Sequence, residues 1–342
     1  MKTQQKPTTS NDIQLPSIDL RLQLPSTMSF YGADSVLQNY CSRTLEISSD
    51  YSWQHGWCCQ ERQDIDPILL IQEPVVEPAK QYLVARQDEA QYLRQHGLSA
   101  SAVGLPFVYA PSLEVKQKPH SLLVMHAHSL QYTEHQWRFD AYVEQIAKIS
   151  DQFEQVTACI HPSCIEKGYW YPQFEQAGID CITGSQAYDA NGLVRMKTLL
   201  NQFEFMTTNC LGSHVAYAAA CGVKVSIFGE YAEYREEDFA KSEFYNLHPH
   251  TLQPILQLHS ESFARRRWPK FFVEPSKASQ DTKWGAMQIG AANQISSAEM
   301  RKLLGWDPLT QFSARTRKVS RSVMRVPERL VKKTINYVSG AS

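Results

Sequence analysis

Residues Phe203–Glu230, FEFMTTNCLGSHVAYAAACGVKVSIFGE, predict a strand, a tight turn, a helix and a second strand. The first strand is the apolar and β-branched run Phe205–Thr208, and Ser213 follows it where a helix N-cap belongs. Gly222 stands where the helix should stop, before the apolar strand Val223–Phe228. This order of elements makes a β-turn-α-β unit.

The turn of this unit suits an anion. A helix that begins directly after a parallel strand offers backbone N–H groups and the positive end of its dipole. Gly212, Ser213 and His214 occupy that position, which favours a nucleotide phosphate there. A turn and a helix cap without any ligand would use the same Gly-Ser pair, so the surrounding pattern has to decide between the two interpretations.

The chain before this unit shows the same alternation of strands and helices. It begins after a polar segment at 111–120, which we interpret as a linker. The predicted elements are the strands Ser121–Met125, Val156–Ile160 and Asp180–Thr183 and the helices His135–Phe153, Ile165–Ala177 and Gly192–Asn201. Together with the Phe203–Glu230 unit they give five strands and four helices, which is typical of a doubly wound parallel sheet in an α/β protein.

Four parts are expected along the chain. They are a flexible lead-in over 1–28, a small α/β domain over 29–115, a Rossmann-like domain over 116–260, and a helical extension with a basic tail over 261–342. Within the small domain we expect helices at Asp34–Cys41 and Ala85–His96 and an extended segment at Ser101–Tyr109.

Composition and charge narrow the class of protein. The chain of 342 residues is long enough for two cores, and its net charge of −1 gives no overall attraction to nucleic acid. The eight cysteines lack metal-ligand spacing, so we expect reduced thiols in a cytoplasmic protein. The N-terminal sequence lacks the apolar centre of a signal peptide, and no run approaches the length of a membrane-spanning helix.

Polar residues and glycines follow the predicted strands of the larger sheet. In a doubly wound sheet the ligand lies off the carboxyl ends of the strands, so these residues are the candidates for a binding cleft. They are His128, Ser129, His161, Pro162, Gly184, Asn209, Gly212, Ser213, His214 and Glu230. The chain contains no G-x-G-x-x-G, no P-loop and no G-x-S-x-G motif, which argues against a dinucleotide fingerprint, a P-loop NTPase and an α/β-hydrolase.

Three segments carry a resemblance to a known family. SLLVMHAHS (121–129), ACIHPSC (158–164) and TTNCLGSHVAYAAACGVKVSIFGEY (207–231) resemble segments of bacterial surface-polysaccharide (capsule or O-antigen) biosynthesis proteins, within a chain that resembles the GT-B-type glycosyltransferases. The resemblance covers roughly Tyr31–Trp306. It implies two Rossmann-like domains facing a cleft, a nucleotide-sugar donor as substrate, no cofactor and no metal.

Two short motifs refine this resemblance. His161-Pro162 is similar to the His-Pro motif of bacterial sialyltransferases, and Gly212-Ser213 is similar to their Ser-rich phosphate loop. The similarity implies that both pairs contact the donor nucleotide. The first domain is shorter than in typical members and has no acidic Asp/Glu-Asp/Glu-Gly motif.

The chemistry of sugar transfer needs a base and a stabilised leaving group. His161 is the candidate for stabilising the departing phosphate, and the base is expected from the first domain, as His55 or Asp34. We favour His55, because Gly56 allows close approach of its loop and Trp53 and Trp57 could stack on sugar faces. A packed aromatic corner with an incidental histidine is the alternative.

The end of the chain is basic. The segment 314–338 has eight basic residues and one acidic residue, which favours contact with an anionic membrane surface, although a solvated helix end has the same composition. The sequence thus predicts a cytoplasmic, membrane-peripheral, metal-independent glycosyltransferase that acts on a saccharide or a lipid-linked saccharide. The alternatives are a nucleotide-sugar epimerase and a non-catalytic saccharide-binding protein; a nucleic-acid partner is not expected.

Overall fold

The computed structural model describes residues 13–20, 28–42, 50–59, 66–71, 75–129, 135 and 137–306. The basic segment 314–338 lies outside the described residues. The strands are β1 Tyr51–Trp53, β2 Gln81–Val84, β3 Ser99–Ala102, β4 Lys118–Val124, β5 Gln155–Ile160, β6 Asp180–Thr183, β7 Phe203–Thr208 and β8 Lys224–Ile227. The helices are α1 Ala33–Tyr40, α2 Pro67–Ile71, α3 Gln87–Gln95, α4 Pro106–Tyr109, α5 Phe139–Ala147, α6 Pro162–Glu166, α7 Tyr171–Gln176, α8 Gly192–Leu200, α9 Ser213–Ala220, α10 Glu243–Leu247, α11 Leu252–Leu258, α12 Glu261–Arg267, α13 Thr282–Gln288 and α14 Ser297–Leu303.

The larger sheet has the predicted five strands in the order β6-β5-β4-β7-β8, all parallel. Its central strand β4 is buried on both faces, because Leu122, Leu123 and Val124 are fully inaccessible to solvent. The strand order reverses between β4 and β7, where Leu122 lies beside Phe205. The predicted α/β class with a doubly wound parallel sheet is confirmed.

The smaller sheet has three parallel strands in the order β1-β2-β3. Helix α3 ends just before Gly97, whose φ of +77° closes it as predicted. The predicted extended segment Ser101–Tyr109 is wrong in its second half. Pro106 instead begins the short helix α4, since the fixed φ of proline suits the first helical position.

Two predicted helices of the larger unit are shorter than expected. The predicted helix His135–Phe153 consists of α5 followed by a short 3₁₀ turn. The predicted helix Ile165–Ala177 is divided into α6 and α7 at Trp170, whose φ is +66°. Pro172 explains the division, because proline cannot donate a hydrogen bond to the turn before it.

The start of the chain is held against the larger unit. Gln14 exchanges hydrogen bonds with the Gln202 side chain at 3.0 and 2.9 Å, and the Asp19 N–H donates to the Asp189 carboxylate at 3.0 Å. Ile13 is buried in the core. The expectation of a flexible lead-in is therefore wrong for residues 13–20.

Residues 261–306, predicted as an extension, pack against both sheets. Gly285 of α13 lies so close to α9 that a Cβ atom there would approach the Ala220 nitrogen to 2.2 Å. On the other side, the Ile289 carbonyl accepts the Leu105 N–H at 2.9 Å, and the Tyr51 hydroxyl donates to the Leu303 carbonyl at 2.7 Å. One hydrophobic cluster contains residues of both sheets. These helices therefore fix the two sheets relative to each other.

Replacing Gly290 with alanine is expected to destabilise the fold by about 2–4 kcal/mol, as measured by chemical unfolding. Gly290 has a φ of +69°, and an added Cβ would lie 1.9 Å from the Ala85 carbonyl oxygen. Gly178 is the matched control, because its φ is +72° but nothing lies within 4 Å of its Cβ position. Alanine at Gly178 should cost only about 1–2 kcal/mol. Equal losses in the two variants would contradict the close contact at Gly290.

Candidate active site

A cavity of about 370 Å³ lies at the carboxyl ends of the strands of the larger sheet. Met125, His126 and His128 follow β4, His161 follows β5, Gly184 and Ser185 follow β6, and 210–214 follow β7. The opposite wall is the loop 55–59, which follows β1 of the smaller sheet. The size is that of a small-molecule site, and the place is the one that doubly wound sheets use for ligands.

The cavity is rich in histidine and poor in fixed charge. The described residues that line it include no Asp, Glu, Lys or Arg. Of the 11 histidines of the chain, six line this cavity, namely His55, His126, His128, His161, His214 and His259. Imidazoles are therefore the side chains of this cavity whose unperturbed pKa lies closest to neutral pH.

Burial keeps these imidazoles uncharged. It lowers the pKa of His55 and of His259 to about 4. It also lowers the pKa of His126, His161 and His214 to about 3, with a smaller contribution from repulsion by neighbouring histidines. The pKa of His128 is lowered for the same reason. At pH 7 the imidazole rings that line the cavity are therefore neutral.

The strand-helix junction and the opposite loop meet at Ser213. Its hydroxyl accepts the Trp57 N–H at 2.9 Å, and a Cβ atom on Gly56 would lie 2.6 Å from the same oxygen. The close approach expected from Gly56 is thus present. The residue before the helix is Gly212, so the prediction of Ser213 as N-cap is wrong by one position. The N–H groups of Ser213 and His214 lie in the first turn of α9 and have no acceptor within the helix.

Two histidines of neighbouring strand ends stack on each other. The rings of His128 and His161 have centroids 4.6 Å apart at an interplanar angle of 20°. The Nδ1 atom of His161 caps α6 by accepting the Ser163 N–H at 3.2 Å. The same Nδ1 atom lies 2.7 Å from the Ser163 hydroxyl, which itself donates to the Ser129 carbonyl. Pro162 does not line the cavity and serves as the first residue of α6.

Besides Pro162, three predicted nucleotide-binding residues do not line the cavity. The Ser129 hydroxyl is buried and accepts the Lys167 ammonium at 2.7 Å. The Asn209 side chain joins two loops, because it accepts the Ala127 N–H at 2.9 Å and donates to the Glu230 carbonyl at 3.1 Å. Glu230 lines a separate cleft together with Arg138. The side chains of Ser129 and Asn209 therefore form hydrogen bonds that hold neighbouring loops together.

Two expectations about the smaller unit also change. Asp34 lies in the first turn of α1 and does not line the cavity. Trp53 is fully buried and donates to the Gly104 carbonyl at 2.9 Å. Trp57 is packed against Trp268 and Trp284, with ring centroids at 5.3 and 5.5 Å. Stacking of a sugar on Trp53 is therefore wrong, because that ring is fully buried and does not line the cavity, whereas Trp57 lines the cavity and is 6% exposed.

No protein-family model matches the chain, and no curated protein matches it. Among solved structures, the chain is similar to a GtfA/B complex, with 12% identity and a TM-score of 0.31 over 66% of this chain and 44% of that chain. It is also similar to UDP-glucose: anthocyanidin 3-O-glucosyltransferase in complex with UDP, with 12% identity and a TM-score of 0.32 over 82% of this chain and 64% of that chain. A third similar structure is the pneumococcal O-GlcNAc transferase GtfA in complex with UDP and GlcNAc. It has 12% identity and a TM-score of 0.30 over 66% of this chain and 44% of that chain.

The chain thus spans less than two thirds of each of these three structures. Likeness at this level assigns the chain to no family. Its function has to be inferred from the cavity itself.

Several cavity residues were not selected from the sequence. His126 directly follows the predicted strand Ser121–Met125, so its position carried a usable signal. Tyr217, whose hydroxyl donates to the His55 carbonyl at 3.2 Å, and His259, which follows α11, come from helices. The local sequence pattern of a helix does not indicate which distant cavity one of its residues will reach.

Within the part of the chain that the structure describes, no group of three or more His, Cys, Asp or Glu residues is placed to hold a metal ion. All eight cysteines are free thiols. No helix in the described ranges is long and apolar enough to cross a membrane.

Proposed function

We propose that the protein is a glycosyltransferase that uses a nucleotide-sugar donor. The observation that supports this most is the position of the cavity. It lies where the strand order reverses, between the loops after β4 and β7, and the His55 loop of the smaller sheet closes it from the opposite side. A donor held by the larger unit would thereby face a reactive group of the smaller one.

The donor phosphate is proposed to lie at the start of α9. The N–H groups of Ser213 and His214 and the positive end of the helix dipole can stabilise its charge. His161 lines the same cavity, and a ring proton on its Nε2 atom would add a further donor. These groups would stabilise the charge that grows on the departing phosphate, so the proposed transfer is independent of a metal.

His55 is proposed as the base that takes the proton of the acceptor hydroxyl. It lines the cavity, and its ring is neutral at pH 7 and so has a ring nitrogen with a lone pair, although burial lowers its pKa to about 4 and disfavours the protonated form. The predicted alternative, Asp34, does not line the cavity.

The wider setting is also part of the proposal. A cytoplasmic enzyme of surface-polysaccharide assembly would meet saccharide or lipid-linked acceptors at the inner face of the membrane. The basic segment 314–338 would give it reversible attachment, since each basic residue near an anionic surface contributes about 1 kcal/mol.

The test is a panel of nucleotide sugars incubated with the purified protein. Slow hydrolysis of one donor is expected, and transfer once an acceptor is added. In Gly212→Val, the dissociation constant for that donor should rise at least tenfold, because a Cβ at Gly212 would lie 2.9 Å from the His214 ring and displace it. The extended φ of Gly212 allows valine without backbone strain, so the unfolding temperature should change little.

Other outcomes would contradict the proposal. Interconversion of two nucleotide sugars would identify an epimerase, and binding without turnover would identify a saccharide-binding protein. Unchanged donor affinity in a folded Gly212→Val protein would remove the phosphate from the start of α9.

A further inference from the structure

His126 has a ring nitrogen with no partner at the end of the central strand. It lies two residues after the end of β4 and lines the cavity, yet it is only 5% exposed. Its ring lies against Trp170 with centroids 4.3 Å apart at an interplanar angle of 31°, and the Phe174 ring lies at 5.7 Å. Among the described residues, its buried Nε2 atom has no hydrogen-bond partner. A buried polar atom without a partner is costly, which makes a ligand group its natural counterpart.

The tautomer of His126 is fixed by the backbone. Its Nδ1 atom lies 2.8 Å from the Ala127 carbonyl oxygen, which can only accept a hydrogen bond. The ring proton is therefore on Nδ1, and Nε2 presents a lone pair. Burial and the nearby His128 and His214 keep the pKa of the ring low, so it stays neutral.

A neutral ring nitrogen with a lone pair can distinguish the phosphates of a nucleotide sugar from its hydroxyl groups. Phosphate oxygens are acceptors and would repel it, whereas a hydroxyl group can donate to it. We propose that Nε2 of His126 accepts a hydrogen bond from a hydroxyl group of the bound donor and so determines specificity for that hydroxyl. This inference rests on the proposed function, because it takes the donor to be a nucleotide sugar. The hydroxyl belongs either to the transferred sugar or to the ribose.

The test compares two variants on three ligands. His126→Phe keeps an aromatic ring on Trp170 but has no acceptor, and His126→Gln carries an amide oxygen near the place of Nε2. Calorimetry measures the dissociation constants of the nucleotide sugar that the wild type binds, of its free nucleotide, and of the matching 2′,3′-dideoxynucleotide. Loss of one hydrogen bond should weaken binding about tenfold in His126→Phe, with partial recovery in His126→Gln.

A loss confined to the nucleotide sugar assigns the hydroxyl to the sugar. A loss for both the nucleotide sugar and the nucleotide, but not for the dideoxynucleotide, assigns it to the ribose. Unchanged affinities, or equal losses for all three ligands, overturn the inference while leaving the proposed function in place. If the wild type binds no nucleotide at all, the proposed function fails and this inference fails with it.

A purely structural role for His126 gives a different result. Phenylalanine would remove a buried unpaired nitrogen and keep the contact with Trp170, so the thermal midpoint would hold or rise with no change in any affinity. The ratio of nucleotide-sugar to nucleotide affinity is the readout that such a role would not move.

Discussion

Replacing His55 with alanine is expected to lower kcat by on the order of 10²–10⁴ while the dissociation constant of the nucleotide donor stays within a few-fold. His55 lines the cavity from the smaller unit, in the loop whose Trp57 N–H donates to the Ser213 hydroxyl at the start of α9. A proposed base on that wall would contact the acceptor and not the donor nucleotide. Its loss should therefore raise the barrier to transfer without weakening donor binding.

Two variants separate this role from packing. The His55 ring lies against Phe30, with centroids 5.0 Å apart at an angle of 83°. His55→Phe keeps an aromatic contact there without a base and should lose as much activity as His55→Ala. His96→Ala is the control for loss of an imidazole, since His96 is exposed at the end of α3.

Steady-state transfer and calorimetry with the same donor provide the measurements. Activity within tenfold of the wild type in both His55 variants would exclude the base role. A parallel loss of donor affinity would instead make His55 part of the donor site.

The sequence predicts the larger sheet well for a local reason. Each of its strands is an apolar run that a turn ends, and Gly222 ends α9 through its φ of +80°. Burial of both faces of a parallel sheet makes such runs apolar throughout, so they are visible without tertiary information.

The cavity is less predictable, because a strand end gives a position but not a side-chain direction. His161 and Asn209 both follow predicted strands, but only His161 lines the cavity. The Asn209 side chain instead forms hydrogen bonds with the backbone of Ala127 and of Glu230. The packing of residues 13–20 could not be predicted for a similar reason. Gln14 and Asp19 form hydrogen bonds with residues some 170–190 positions away in the sequence. Contacts of that range leave no periodic signal in the sequence.

Acidification is expected to unfold the ligand-free protein between about pH 5 and pH 6. The cavity imidazoles carry pKa values of about 3 to 4 in the folded protein, against 6.5 for the unperturbed side chain. The unfolded chain therefore binds more protons than the folded one between these values, and stability falls as the pH decreases below 6.5.

The size of this effect follows from the number of rings. Each buried imidazole lowers the free energy of unfolding by about 1.4 kcal/mol for every pH unit of acidification in that range. Five of them, at His55, His126, His161, His214 and His259, would together cost about 7 kcal/mol per unit, which is comparable to the whole stability of a typical domain at about 5–15 kcal/mol. Above pH 6.5 the full stability is present, and it is lost well before the folded-state pKa values are reached.

Fluorescence of the buried tryptophans and circular dichroism across pH 4–8 would measure the transition. Its steepness gives the number of protons taken up on unfolding, which should be about one lower in His126→Phe than in the wild type, with the midpoint of that variant at lower pH. His96→Phe changes an exposed ring and should leave both quantities unaltered. A protein that stays folded and equally stable from pH 7 to pH 5 would mean that these imidazoles accept protons in the folded state, and the neutral cavity on which the role of His126 depends would not exist.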